Sequence, residues 1–418
     1  MLQYKIPFDI IKIVLSYLNN NEINNLLISS KSFKSLIYEF YTLKLNYGYS
    51  YEYYFHEYVR NYINKKFSKI YVKLINIEDL TDLSIFSNVY SLELRGCHNI
   101  KDVSPLSNVH ELWIDEGFYI TDVSALRNVH KLELSHCDNI TDVSQLGNVY
   151  DLTLRSCNNI TDVSKLGNVH ILDLNNSNNI TDVSALGNVH ALFLYECQNI
   201  TDVSALGNIY ELSLGYIPEI SDVSALRNVR ILNLSKCPNI TNVSALKNVS
   251  ILNLSKCINI INVSALCNVH TLDLSYCSKI IDVSKLCNVR ILNLSKCINI
   301  TNITGLKNVN ILDISQCHKI INVSGLNNLK ILYLDNFKNI INLCSLCNLR
   351  TLYIINAINI IGMSRLDNLH RIYLHNSKNI KFNKKLNELS NIDIISDIKQ
   401  VMLEYRNNYP KYLNRFYY

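Results

Sequence analysis

Thiols and imidazoles are the side chains here with chemistry to offer, and both recur at a fixed interval of twenty residues. Nine of the 13 Cys fall in one column: Cys97, Cys137, Cys157, Cys197, Cys237, Cys257, Cys277, Cys297 and Cys317. Such a column could ligate a soft metal, but other copies carry Ser177, Ile217, Phe337 and Ala357, a set no metal site tolerates. The column reads instead as a mostly small buried residue after a strand, in a compartment that keeps thiols reduced. Cys344-Ser345-Leu346-Cys347 is a lone CxxC, one pair short of a structural zinc site. His110, His130, His170, His190, His270 and His370 form a second column, interrupted by Tyr150, Tyr210 and Arg230. Neighbours such as His110 and His130 would approach to ~5 Å. Exchange with Tyr and Arg marks a partly exposed polar edge rather than a metal site. A third column holds Asp on eight rungs from Asp82 to Asp222, then mostly Asn, as at Asn242, Asn262 and Asn302. Local turn bonding accounts for that exchange, and calcium binding does not. The sequence has no nucleophile–base arrangement, no paired carboxylates outside a column and no phosphate loop. No catalytic residue, cofactor or metal is therefore expected.

The element that positions these columns is a repeat. From residue 81 the chain can be cut every twenty residues without an insertion, giving fifteen copies over 81–380. In residues 141–160, Leu152 and Leu154 point to one face of a short strand. Val143, Leu146, Val149, Cys157 and Ile160 fill the remaining corners of a coil. One coil cannot bury that face alone, so coils must stack. Twenty residues leave no room for a full outer helix, which predicts turns or 3₁₀ pieces there. Asn88 and every twentieth residue to Asn368 are Asn, expected to tolerate a left-handed backbone and to bond their own backbone where the chain enters the strand. The pattern V-x-x-L-x-L-x-x-C-x-x-I-x-x-V-x-x-L, seen from Val129 to Leu146, resembles the leucine-rich repeat family. The resemblance implies an α+β repeat protein, a leucine-rich-repeat solenoid with one short parallel β-strand per coil.

Residues 1–45 break the period and read as helices. Ile6-Pro7-Phe8-Asp9-Ile10-Ile11, then Leu15-Ser16-Tyr17-Leu18, then Leu26 and Ser32-Phe33, are similar to the F-box. Phe33 stands where that family has Trp, and Ser29 where it has Val. The resemblance implies a small helical module that docks on the Skp-family adaptor of a cullin-RING ubiquitin ligase. Pro7, Ile10, Ile11, Leu15, Leu18, Leu26 and Phe33 occupy the matching adaptor-binding positions. The repeats would then hold a protein substrate. A plainer reading makes these residues only a cap on a non-catalytic interaction scaffold, since every such array needs capping. Residues 46–71, with Phe55, Tyr58, Val59, Tyr62 and Ile63 at helical spacing, predict a helical cap or linker before the array at 72–395. Ile395, Ile398, Val401, Met402 and Tyr405 predict a closing helix, with 396–418 as the terminal cap.

The strand residue between the two Leu should face the concave surface, and there the repeat becomes varied. Glu93, Trp113, Glu133, Phe193, Tyr333, Tyr353 and Tyr373, with Asp115 beside them, are the candidate substrate-binding residues; the three Tyr form an aromatic run on adjacent rungs. Residues 81–230 hold 19 acidic and 8 basic side chains, residues 231–380 hold 5 and 15. The acidic half favours a substrate with a basic segment. A net charge of +5 is too mild for nucleic-acid binding, and no apolar run reaches the ~18 residues of a membrane span. A start without a signal-peptide pattern and Asn-x-Thr triplets such as Asn159-Ile160-Thr161 point to the cytoplasm, a host's if the chain is viral.

Overall fold

Apolar residues at fixed places in every coil give the molecule one recurring core. In residues 241–260, Val243, Leu246, Val249, Leu252, Leu254, Cys257 and Ile260 are all buried. Full burial of each aliphatic side chain stabilises by about 1.5–3 kcal/mol, and the partner surface is always the next coil. The computed structural model describes residues 42–337, 341–363, 366–378, 380 and 393–395. The chain divides into two units, Met1–Ser177 and Asn178–Tyr418.

The first unit opens with strand β1 (Leu43–Lys44), helices α1 (Tyr47–Phe55) and α2 (Glu57–Lys66), and strand β2 (Ile70–Ile75). Asn46 caps α1, its side chain accepting from the Tyr49 N–H at 3.0 Å. The expected helical stretch is therefore two helices, and its buried anchor differs from the expected one. Tyr53 is buried and stacks on Phe86 of the first coil at 6.4 Å. Phe55, Tyr58 and Tyr62 are exposed; of the spaced residues only Ile63 is buried. Strand β1 lies within the stretch read as helical and pairs in parallel with β2. From β2 on, each strand pairs in parallel with the one twenty residues later, through Ser91–Arg95, Glu111–Asp115, Lys131–Ser135, Asp151–Thr153 and Ile171–Asp173.

The second unit repeats this from Ala191–Phe193 to Arg371–His375, with Leu212↔Leu232 and Leu232↔Leu252 in register. Strand Asp393–Ile395 adds a further rung on Arg371–His375. Ile395 is thus in a strand, not the expected helix. The outer side is made of 3₁₀ turns such as Ser144–Asn148 and Ser224–Asn228. They start where an Asp or Asn side chain accepts the N–H two residues on, for example Asp142 to Ser144 at 2.9 Å and Asn242 to Ser244 at 3.0 Å.

The invariant Asn column does a different job from the one expected. Its members are absent from the left-handed backbone positions among the described residues. In the later coils, from Asn288 to Asn368, their side chains reach the preceding coil instead: Asn328 Nδ2 donates to the Lys307 carbonyl at 3.0 Å, and Asn288 Nδ2 to Asn268 Oδ1 at 3.1 Å. The left-handed residue sits just past the strand, at Glu116, Glu196, Tyr216, Lys236, Lys256 and their equivalents, with Gly at Gly96. That conformation costs a non-Gly residue about 1–2 kcal/mol. Interstrand bonding holds it: Lys236 N–H donates to the Ser255 carbonyl at 2.8 Å, and Lys256 N–H to that of Ser275 at 2.8 Å.

Candidate protein-interaction surfaces

The adaptor-binding positions Pro7, Ile10, Ile11, Leu15, Leu18, Leu26 and Phe33 lie outside the described residues, as does 396–418. The described chain begins at residue 42, and Leu43 N–H donates to the Lys69 carbonyl at 2.9 Å.

On the strand face of the first unit, parallel register sets Glu93, Trp113 and Glu133 on consecutive rungs. Glu93 is buried to 7% exposure, with Lys73 Nζ at 2.8 Å and Arg95 Nε at 2.6 Å. The Tyr71 hydroxyl donates to its other oxygen. Burial opposes the Glu93 charge, yet Lys73, Tyr71 and Arg95 together hold its carboxyl below the usual carboxylate range. Burial, and then the Glu93 bond, push the Tyr71 phenol up. Trp113 is half-buried, edge-on to the Tyr71 ring at 6.3 Å. Asp115 pairs with His136 at 2.9 Å, Asp151 with Lys131 at 2.6 Å, and Asp173 with Arg155 at 2.6 Å. Glu133 is half-buried and accepts from Ser135 at 3.4 Å. Three carboxylates of the acidic face expected to await a basic segment, Glu93, Asp151 and Asp173, are thus already paired with Lys or Arg of their own unit.

The second unit overturns part of the concave-face reading. Phe193 is half-buried, but Tyr333, Tyr353 and Tyr373 are 0%, 1% and 1% exposed. Their rings stack at 4.4 and 4.3 Å, so each covers its neighbour's face. Ile355 joins the buried cluster, with Ile311, Ile331 and Ile395 packed against it. An exposed aromatic run is therefore a buried aromatic stack. Asn233, Asn253, Asp273 and Asp313 of the same column are buried too. Their side-chain oxygens turn back onto the chain, Asn233 accepting from the Ser235 N–H at 3.0 Å and Asp273 from that of Ser275 at 2.8 Å. Burial pushes the Asp273 carboxyl up to about 6 against that hydrogen bond.

The other columns are where the spacing put them. Cys237 Sγ donates to the Leu214 carbonyl at 3.2 Å and Cys257 Sγ to that of Leu234 at 2.9 Å, both buried. Burial raises both thiols above the ordinary range, which keeps them unreactive. In the first unit Tyr90, His110, His130, Tyr150 and His170 stack in sequence at 4.6–4.9 Å. Burial, then the neighbouring His130, lower the His110 imidazole. Among the described residues no group of three or more His, Cys, Asp or Glu is placed to hold a metal. No helix among them is long and apolar enough to cross a membrane.

No curated protein matches the sequence. The functional domain of InlJ from Listeria monocytogenes, a structure described as including a cysteine ladder, is 21% identical with a TM-score of 0.50, covering 73% of this chain and 74% of its own. A leucine-rich-repeat protein of Leptospira interrogans is 16% identical with a TM-score of 0.42, covering 77% of this chain and 94% of its own. Internalin C2 of Listeria monocytogenes is 28% identical over 46% of this chain and 73% of its own, with a TM-score of 0.26. The family model of the F-box domain matches residues 4–44. The sequence thus joins an F-box domain to coils with the fold of leucine-rich repeats.

Proposed function

We propose that the chain is the substrate-recognition subunit of a cullin-RING ubiquitin ligase. The F-box match at residues 4–44 carries this reading. In it, the module docks the Skp-family adaptor and the cullin complex, and the repeats present a protein substrate to enzymes carried by other subunits. The chain performs no catalysis of its own and works in the cytoplasm, a host's if it is viral. Support comes from the junction: the last matched residues, Leu43 and Lys44, pair with β2. A substrate held on the first coils would be carried on the same paired backbone as the docking module. The test is recovery of the adaptor by the full chain and by a Pro7→Ala/Leu15→Ala variant. Recovery by the wild type and its loss in the variant support the reading. Wild type that recovers no adaptor, where a known F-box protein does, refutes it.

The same junction also fits a scaffold without a ubiquitin role. Leu45 is buried and β1 covers β2, so this end of the array is capped by its own chain. On that reading residues 1–41 belong to the cap, and deleting them lowers the melting temperature of the array. On the ligase reading the melt is unchanged.

A further inference from the structure

The second unit carries an apolar surface that its own fold does not use. Ile258, Ile261, Ile281, Ile298 and Ile321 are 47–67% exposed. They come from coils 241–260, 261–280, 281–300 and 321–340, and from Ile261 to Ile321 they span three rungs, about 15 Å at the ~4.8 Å rung spacing. In the coils before them the equivalents of Ile261, Ile281 and Ile321 are polar, as at Thr201 and Thr241; Thr301 stands between Ile281 and Ile321, and the later equivalents Ile341 and Ile361 are buried and half-buried. A clustered exposed aliphatic patch on an otherwise polar repeat edge marks a contact surface. Ile261, Val263 and Leu286 line a cleft of about 360 Å³ there, together with Lys285, Asp282 and Asn262.

Charge selects the partner. Lys256, Lys279 and Lys319 stand exposed, each two residues before a coil's Ile258, Ile281 or Ile321, and Lys285 is exposed in the cleft. Asp282 is the acid lining the cleft, and its carboxylate already accepts the Ser284 N–H at 2.8 Å. An apolar strip with lysines along it fits a segment carrying both carboxylates and aliphatic or aromatic residues. An anionic membrane would satisfy the lysines and the Ile but not the amides and the carboxylate between them. Asn262, Asp282, Asn302 and Asn322 run beside the Ile column, and hydrocarbon offers them no hydrogen bonds. A polypeptide does.

We propose that Ile258, Ile261, Ile281, Ile298 and Ile321, with Lys279, Lys285 and Lys319, form a docking strip for an acidic, apolar-containing segment of a partner protein. The strip stands apart from the buried aromatic stack and does not depend on the ubiquitin reading.

The test is a random dodecapeptide phage library panned on the full chain. The library is first depleted on an Ile261→Thr/Ile281→Thr/Ile321→Thr variant, whose new residues already occur in that column at Thr241 and Thr301. Matching melts of variant and wild type establish that both fold. The expected result is a consensus rich in Asp or Glu and in Leu, Ile or Phe. A synthetic peptide of that consensus should bind wild type at least tenfold tighter than either the Thr variant or Lys285→Glu. Both variants should still recover the adaptor if wild type does, so loss of the strip and loss of the F-box reading are separate results. Absence of clones dependent on the strip, or a basic or uncharged consensus, overturns the proposal. So does flotation with 70:30 phosphatidylcholine:phosphatidylserine vesicles that the Thr variant abolishes, which would assign the strip to lipid.

Discussion

Replacing Asp273 by Asn should stabilise the protein at neutral pH and do nothing at acid pH. Asp273 is fully buried on the strand face, and its carboxyl is pushed up to about 6. Unfolded, an Asp titrates near ~3.9. Between those values the native state keeps a proton that the unfolded state has released, so stability falls as pH rises through the window. Above pH 6 the full penalty of burying a charge remains, about two pKa units or on the order of 3 kcal/mol. Asn removes the charge and keeps the turn, because Asn253 and Asn293 already accept the N–H of Ser255 and Ser295 at 2.9 Å in that column. Urea denaturation of wild type and Asp273→Asn at intervals from pH 4 to pH 8 measures the difference. The gain should approach that figure at pH 7.5 and vanish near pH 4. Asp282, exposed and lowered by its bond to the Ser284 N–H, serves as the control whose Asn variant shows no such gain. An Asp273→Asn gain that is absent at pH 7.5, or equal at every pH, refutes the reasoning.

Gln316 holds φ at 62°, so Gln316→Gly relieves the left-handed strain at the cost of a more flexible unfolded chain. A net gain of about 0.5–1 kcal/mol in denaturant titration is expected. Lys236→Gly should gain less, because the Lys236 ammonium bonds the Tyr195 hydroxyl at 2.6 Å and lies 4.9 Å from the Tyr216 ring centre. Cys257→Ser should cost no more than about 1 kcal/mol, since Ser177 already makes the same bond, to the Leu154 carbonyl at 3.1 Å. Cys257→Leu should cost about 1–3 kcal/mol by overpacking, and paired thermal melts separate the two. Tyr353→Ala opens a hole between two stacked rings and should cost about 3–5 kcal/mol in the same assay.

The periodic part of the fold was legible because the core repeats: Leu152 and Leu154 fix the strand, Val143 and Leu146 the turn, and twenty residues exclude an outer helix. What stayed hidden were the positions where a side chain's job depends on the neighbouring coil. Asn328 reads locally as a turn residue, but its amide spans to the coil before it, and no single coil encodes that. Lys236 carries no mark of a left-handed backbone, because the bond between its N–H and the Ser255 carbonyl enforces the conformation from outside. Tyr333, Tyr353 and Tyr373 share a column with Glu93 and Trp113, so alternation alone gives all five the same exposure. Yet the three stacked rings are buried together with Ile355 and under Ile311, Ile331 and Ile395, whereas Glu93 needs Lys73 and Arg95 to be buried at all. For the same reason an acidic count over 81–230 overstates the available charge. Each carboxylate already paired on its own sheet must give up Arg95, Lys131 or Arg155 before a basic partner can use it. Lys279 and Lys319 beside the exposed Ile bond neutral amide oxygens, of Asn259 at 2.7 Å and of Asn299 at 2.6 Å, rather than carboxylates. Departures from the repeat toward Ile, as at Ile261 and Ile281, are therefore a better guide to a partner than departures toward Tyr.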